Sequence, residues 1–141
     1  MYDWLLIGRA GDEDPSRWQL SNMRVLAPMQ PAELRGYYAA ADLLVLPSSG
    51  EGFPLVVQEA MACGTPAVVS ETTVAGLPAV GRVAFTTQLT SEALQSSVKH
   101  AAQVAASDPG LRARVASFAG ERWRADVMVE RYEALLEGLL H

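Results

Sequence analysis

The chain has 141 residues, which is enough for one domain of ordinary size and gives no argument for a second. Half of the residues are hydrophobic and 19% are charged, a balance that excludes a disordered or low-complexity chain. With 11 basic and 16 acidic residues the net charge is −5, so no nucleic-acid partner is expected, because such binding requires clustered Lys and Arg.

Short apolar runs alternate with helical patterns in the first two thirds of the chain. The apolar runs predict five strands: Trp4–Ile7, Met23–Ala27, Leu43–Leu46, Pro66–Ser70 and Val83–Thr86. One predicted helix opens at Pro31, since proline is tolerated in a first helical turn. Another runs from Leu55 to Cys63 and stops at Gly64, an ordinary helix end.

From Ser91 onward the sequence pattern is helical. Ser91 can cap a helix to about Ala106, and Asp108 with Pro109 starts a second one to about Trp123. The last predicted helix starts near Asp126 and has an apolar face made of Val129, Tyr132, Leu135, Leu136 and Leu139. Strands that alternate with helices, followed by a helical tail, predict an α/β fold. We expect a doubly wound, Rossmann-like parallel sheet with helices on both faces.

The most informative stretch is SSGEGFPLVVQEAMACGTP, residues 48–66. It begins at the carboxyl end of the third predicted strand, the edge at which open α/β sheets bind ligands. Glycines form a turn, and Pro54 pre-sets the first turn of the following helix. Free backbone N–H groups would then point out of the helix start, with the positive end of the helix dipole behind them: Gly52, Phe53, Leu55 and Val56. The stretch therefore predicts an anion site built from backbone.

Two carboxylates bracket this helix start. Glu51 lies just before it, and Glu59 follows Pro54 by five residues, a helical rise of roughly 7–8 Å. That rise is close to the spacing between a phosphate and the ribose of one nucleotide. Carboxylates accept hydrogen bonds and so suit sugar hydroxyls on each side of a phosphate. The plainer alternatives are an acid that interacts with the helix dipole for Glu51 and an exposed helix glutamate for Glu59.

The segment EGFPLVVQEAMACGTP resembles the donor-site signature of retaining GT-B glycosyltransferases of the family-four, or group 1, type. That signature is Glu, seven residues, Glu, then Ala-Met-Ala-x-Gly-x-Pro. The flanking segments LLIG, MRVLAPMQPAELRGYYAAADLLVLPSS and ERYEALLEGLL are similar to the same family, so the resemblance covers nearly all of the chain. It implies the C-terminal, donor-binding half of a GT-B fold.

The resemblance also implies roles for individual residues. Glu51 would be the catalytic-site carboxylate that accepts hydrogen bonds from donor-sugar hydroxyls, and Glu59 would bind the ribose hydroxyls. The backbone amides of Gly52, Phe53 and Leu55 would face the sugar and the diphosphate.

Two further assignments follow from the same resemblance. The loop after the second strand, Ala27, Pro28 and Met29, would lie against the nucleobase through its backbone. Pro54 stands where many members of the family have glycine; it removes one possible phosphate donor and is kept among the donor-binding positions.

The activity that the resemblance implies is transfer of a sugar, of the hexosyl type, from a nucleotide-diphosphate sugar, without a metal or other cofactor. Residues 1–141 would form a single partial donor domain that lacks its first strand and helix, and the N-terminal acceptor domain would be a missing partner. We therefore expect the chain alone to be inactive. The alternative is a naturally separate, non-catalytic sugar-nucleotide-binding subunit that completes its site with a partner chain.

A missing central strand would leave the strands Asp3–Ile7 and Leu43–Leu46 without their shared neighbour. We expect these two strands to pair directly in parallel. The alternative is that another copy of the chain fills the gap, which would give a homo-oligomer through exposed strand edges.

The remaining features concern compartment and ligands. The longest uncharged stretch has eleven residues, Ala60–Ser70, whereas a membrane span needs about 20. With no visible secretory signal and a single cysteine, Cys63, we expect a bacterial cytoplasmic protein, membrane-peripheral only through the missing domain. Asp12-Glu13-Asp14 is interpreted as a solvated loop and not as a metal site.

Overall fold

The computed structural model describes residues 2–9, 11, 14–77 and 79–139 of the chain. The strands in these residues are β1 (Trp4–Ile7), β2 (Met23–Leu26), β3 (Leu44–Leu46), β4 (Ala67–Ser70) and β5 (Phe85–Thr87). The helices are α1 (Pro31–Ala40), α2 (Leu55–Ala62), α3 (Glu71–Gly76), α4 (Ser91–Ser107), α5 (Leu111–Trp123) and α6 (Ala125–Leu139). Short 3₁₀ helices lie at Pro15–Trp18 and Val80–Arg82.

The chain forms two compact units, residues 1–36 and 37–141. In the first unit β1 pairs in parallel with β2, with Trp4 opposite Met23 and Ile7 opposite Leu26. In the second unit β3, β4 and β5 form a parallel sheet in that order. Parallel strands separated by helices, followed by a helical C-terminal part, confirm the predicted α/β fold class.

The strands lie in two sheets, and this corrects one expectation. Within the described residues β1 is hydrogen-bonded to β2 alone and β3 to β4 alone. The prediction that the first and third strands pair directly is therefore wrong. Each of these strands is only three or four residues long and has its parallel partner within its own unit. Association through the unpaired edges stays a prediction, to be tested by light scattering.

The sheet of the second unit is covered on both faces. All four residues of β4 are buried, as expected for a continuous apolar strand between two helical layers. Ala67 and Val69 face a core cluster that includes α2 and α5, whereas Val68 packs with Val98 and Ala101 of α4. Alternate residues of β4 thus pack against helices on opposite faces of the sheet, and the carboxyl ends of β3 and β4 lie between these two helical layers.

Several element ends differ from the prediction for local reasons. The helix α3 was not predicted, because six residues are too few to show a periodic pattern. Thr90, and not Ser91, caps α4 by accepting a hydrogen bond from the backbone N–H of Ala93. The helix α5 starts two residues after Pro109, since the side chain of Asp108 accepts from the N–H of Gly110 before the helix begins.

The predicted apolar face of α6 is exposed along its length, with Val129, Tyr132, Leu135, Leu136 and Leu139 all open to solvent. No helix in the described ranges combines the length and the apolar character that crossing a bilayer demands.

Asp12 and Glu13 lie outside the described residues. Asp14 caps the first 3₁₀ helix through the hydroxyl and the N–H of Ser16.

Candidate functional site

The site predicted from the sequence lies where β3 leads into α2. Leu46 ends the strand, and Leu55 begins the helix. Pro54 is the residue immediately before the helix; its φ of −69° and ψ of 115° are extended, and its side chain makes no cap. The carbonyl of Pro54 accepts from the N–H of Val57 at 3.2 Å, which closes the first turn. The helix therefore starts without any side chain that covers its N-terminus.

Backbone donors at this helix start have no partner among the described residues. The hydrogen bonds of the structure do not use the N–H groups of Gly52, Phe53, Leu55 or Val56. Phe53 and Leu55 are 46% and 65% exposed, so solvent or a ligand reaches this surface. Four unpartnered donors beside the positive end of a helix can bind an anion. Their role in binding a ligand stays a prediction.

Glu51 is half-buried in the loop before α2, and neighbouring hydroxyl groups fix its surroundings. The hydroxyl of Ser48 donates to Oε1 of Glu51 at 3.4 Å. The carbonyl of Ser48 in turn accepts from the hydroxyl of Ser70, at the end of β4, and from that of Thr72 at 3.4 Å. The loop that carries Glu51 is thus tied to the carboxyl end of the neighbouring strand.

Glu59 lies about one turn after Leu55, the first residue of α2, and is exposed. The phenol O–H of Tyr38 donates to its Oε2 at 3.3 Å, and Tyr38 itself is only 9% exposed. Burial, together with the nearby charge of Glu59 and this hydrogen bond, raises the pKa of Tyr38 to about 12. The phenol therefore stays a donor to the carboxylate at any physiological pH.

This contact gives a pH-dependent prediction. Because the pKa of Tyr38 is higher in the folded protein than the ordinary value of 10.0, the unfolded chain loses this proton first as the pH rises. The free energy that this raised pKa contributes to folding is fully present below pH 10 and is lost as the pH rises toward 12. In an ultraviolet titration one tyrosine should ionise near pH 12, and that step should be missing from Tyr38→Phe. A titration of the folded chain without a tyrosine step near pH 12 would contradict the contact.

The loop assigned to the nucleobase belongs to the first unit, whereas the other candidate residues belong to the second. It follows the last residue of β2, Leu26, whose carbonyl accepts from the N–H of Gly8 at 3.1 Å. Ala27 and Pro28 are exposed and Met29 is half-buried. This loop is therefore largely exposed, and its role stays a prediction.

Several residues that contact the candidate site have no role in the sequence-based prediction. These are Tyr38, Ser70, Thr72 and Gly76, together with the hydroxyl of Ser48. A usable signal was present: Ser70 is followed by an acid and two threonines, the composition of a helix N-terminus. Among the described residues no group of three His, Cys, Asp or Glu side chains could hold a metal ion.

Sequence comparison finds similarity to known proteins. The profile of a family described as "Glycosyl transferases group 1" matches residues 3–103. A D-inositol 3-phosphate glycosyltransferase of Corynebacterium jeikeium is 54% identical over 41 residues, which make up 29% of this chain and 10% of that protein. The matched segment therefore covers only about a tenth of the length of this relative.

Three solved structures share the fold. The catalytic domain of starch synthase IV from Arabidopsis thaliana, bound to ADP and acarbose, is 20% identical with a TM-score of 0.64, over 85% of this chain and 27% of its own. WaaG, a glycosyltransferase involved in lipopolysaccharide biosynthesis, is 16% identical with a TM-score of 0.66, over 84% of this chain and 34% of its own. The pneumococcal O-GlcNAc transferase GtfA, in complex with UDP and GlcNAc, is 18% identical with a TM-score of 0.67, over 99% of this chain and 30% of its own.

Proposed function

Because the chain belongs to the group 1 glycosyl transferase family and shares the fold of GT-B enzymes, we propose that it is the donor-binding part of a retaining glycosyltransferase. Its ligand is a nucleotide-diphosphate sugar, and the sugar, of the hexosyl type, is passed to a hydroxyl acceptor. The observation that supports this most is the uncovered start of α2, with free N–H groups between Glu51 and Glu59. Two of the structures with a similar fold were solved with nucleoside diphosphates, ADP and UDP.

The diphosphate is assigned to the backbone donors of Gly52, Phe53, Leu55 and Val56. In a chain of net charge −5, attraction for a phosphate has to be local, and a helix N-terminus provides it without a lysine or a metal ion. When the bond from the sugar to the diphosphate breaks, its electron pair stays on the departing phosphate oxygen. Fixed N–H groups stabilise that growing charge more than they stabilise the bound donor, which is the condition for catalysis.

The two carboxylates are assigned to the two sugars of the donor. Glu51 accepts hydrogen bonds from hydroxyls of the transferred sugar, and the hydroxyl of Ser48 restricts the orientation of its carboxylate. Glu59 accepts from the ribose hydroxyls, while Tyr38 holds Oε2. Both carboxylates act as acceptors for neutral hydroxyls, and each such bond has a charged partner, which makes it stronger than a neutral one.

Calorimetry with two variants tests these roles. Glu59→Ala should weaken binding of a nucleoside diphosphate and of the matching sugar nucleotide alike. Glu51→Ala should leave the diphosphate affinity unchanged and lower only that of the sugar nucleotide. Each loss should be about tenfold to a hundredfold, since a hydrogen bond with a charged group contributes about 1.5–3 kcal/mol.

Glu92→Ala is the matched control, because Glu92 is an exposed glutamate in the first turn of another helix, α4. It should bind both ligands as the unchanged chain does. UDP, ADP and GDP, each compared with its glucose derivative, also identify the base. Equal losses of diphosphate affinity in Glu51→Ala and Glu59→Ala would show that the two roles are wrongly assigned.

A further inference from the structure

The last residue of α3, Gly76, packs against the backbone of the loop that carries Glu51. A Cβ placed on Gly76 would stand 1.9 Å from the carbonyl oxygen of Gly52, 2.8 Å from its carbonyl carbon and 3.3 Å from its Cα. All three atoms belong to the backbone, so no rotation of a side chain relieves the overlap. By contrast, a Cβ on Gly120 in α5 would meet nothing within 4 Å. Any side chain at position 76 therefore has to move the loop or α3.

The same short segment also holds the beginning of this loop. Ser70, which is 1% exposed, donates its hydroxyl to the carbonyl of Ser48 and accepts from the N–H of Thr73 at 3.2 Å as the cap of α3. Residues 70–76 thus contact the loop at both ends, at Ser48 through a hydroxyl and at Gly52 through Gly76. Glu51 lies between these two points. Two fixed points four residues apart leave the backbone at Glu51 little freedom.

We propose that Gly76 is a positioning residue for the donor site. The missing side chain at position 76 sets how closely the carbonyl of Gly52 approaches α3, and this approach fixes the carboxylate of Glu51 and the N–H groups that follow it. The inference rests on the proposed function and extends it to a residue that touches no substrate. The larger effect should fall on the sugar end of the donor, because Glu51 lies between the two fixed points, whereas Glu59 and the N–H groups of Leu55 and Val56 belong to α2, beyond the part of the loop that Gly76 contacts.

The test compares affinities for a nucleoside diphosphate and for its sugar nucleotide. The ratio is the affinity for the sugar nucleotide divided by the affinity for the diphosphate. Gly76→Ala should lower this ratio by about tenfold, toward the value of Glu51→Ala, as expected when one well-placed hydrogen bond is lost. Gly120→Ala is the matched control and should keep the ratio. A merely structural role would reduce stability or both affinities together, and an unchanged ratio in Gly76→Ala would overturn the proposal.

Combining the variants shows whether Gly76 acts through the loop. In the Glu51→Ala background, Gly76→Ala should have almost no additional effect on the ratio, since the group that it positions is already gone. A further tenfold decrease in the ratio would contradict the proposal. Ser70→Ala gives a second route if Gly76→Ala does not fold, and it should lower the ratio several-fold. Its control is Thr90→Ala, which removes a helix cap in the same way at α4, away from this loop.

NMR relaxation of the chain without ligand separates this inference from the proposed function. Order parameters of the backbone N–H groups of residues 48–53 should be lower in Gly76→Ala than in the unchanged chain, and those of α4 should not change. If the unchanged chain binds no nucleotide, the proposed function fails, and the relaxation result alone decides whether Gly76 positions the loop. Unchanged order parameters at residues 48–53 would refute the positioning role in either case.

Discussion

Met61→Ala should lower the free energy of unfolding by about 2–5 kcal/mol, the usual cost of removing a large buried side chain and leaving a cavity. Met61 lies in α2 with no exposed surface, inside the largest core cluster of the second unit. The same cluster contains Val57 of this helix, Val69 of β4 and Val115 of α5, so a cavity at position 61 would open in a core shared by three elements. Denaturant unfolding followed by helical circular dichroism measures the change.

The same substitution has a functional consequence. The buried side of α2 is held by this cluster, while its first turn carries the candidate anion site, so a loosened helix should also bind a nucleoside diphosphate more weakly. Val129→Ala is the control, because Val129 is 54% exposed on α6 and should cost less than about 0.5 kcal/mol. A loss below about 1 kcal/mol for Met61→Ala would mean that α2 is not anchored as described.

The second large effect is the absence of transfer by the isolated chain. Our proposal assigns residues of this chain to the donor alone, and the chain spans only 27–34% of the length of three proteins with a similar fold. Holding both reactants together can account for about 7–11 kcal/mol of a barrier, and this contribution disappears if only one reactant is bound. The purified 141-residue chain should therefore bind a sugar nucleotide without passing its sugar to an acceptor.

Mass spectrometry of the products, with a panel of hydroxyl acceptors, measures this directly. The control is the same mixture without protein, because sugar nucleotides hydrolyse slowly by themselves. A glycosylated product formed faster than in that control would overturn the expectation and would place an acceptor site within the chain. Transfer that starts only when a partner chain is added would favour the separate-subunit alternative.

The local structure of the candidate site could be predicted from the sequence because it depends on local order. Gly52, Pro54 and the apolar residues after it specify a turn followed by a helix, and the rise from Pro54 to Glu59 follows from helical geometry. The strand before this segment was recognisable as a continuous aliphatic run. These features need only residues close in sequence, so the bounds of β3 and α2 differ from the prediction by one residue each.

The support of the site could not be predicted, because it depends on contacts between distant residues. Ser70 and Gly76 are about 20 residues from the atoms that they contact, Ser48 and Gly52, and nothing in the local pattern links them. Tyr38 reaches Glu59 across 21 residues for the same reason. The grouping of strands into two sheets was missed as well, since strand order depends on long-range packing and not on the periodicity of any one segment.

The most direct test of the donor site is an NMR titration of the isotope-labelled chain with a nucleoside diphosphate. We expect a smaller shift of the backbone N–H signal at Glu59 and the largest shifts at Gly52, Phe53, Leu55 and Val56. These donors have no partner within the described part of the chain and would gain one from the diphosphate. Saturating shifts confined to other elements, such as α4 or α6, or no shift at millimolar nucleotide, would contradict the claim that the start of α2 binds the donor.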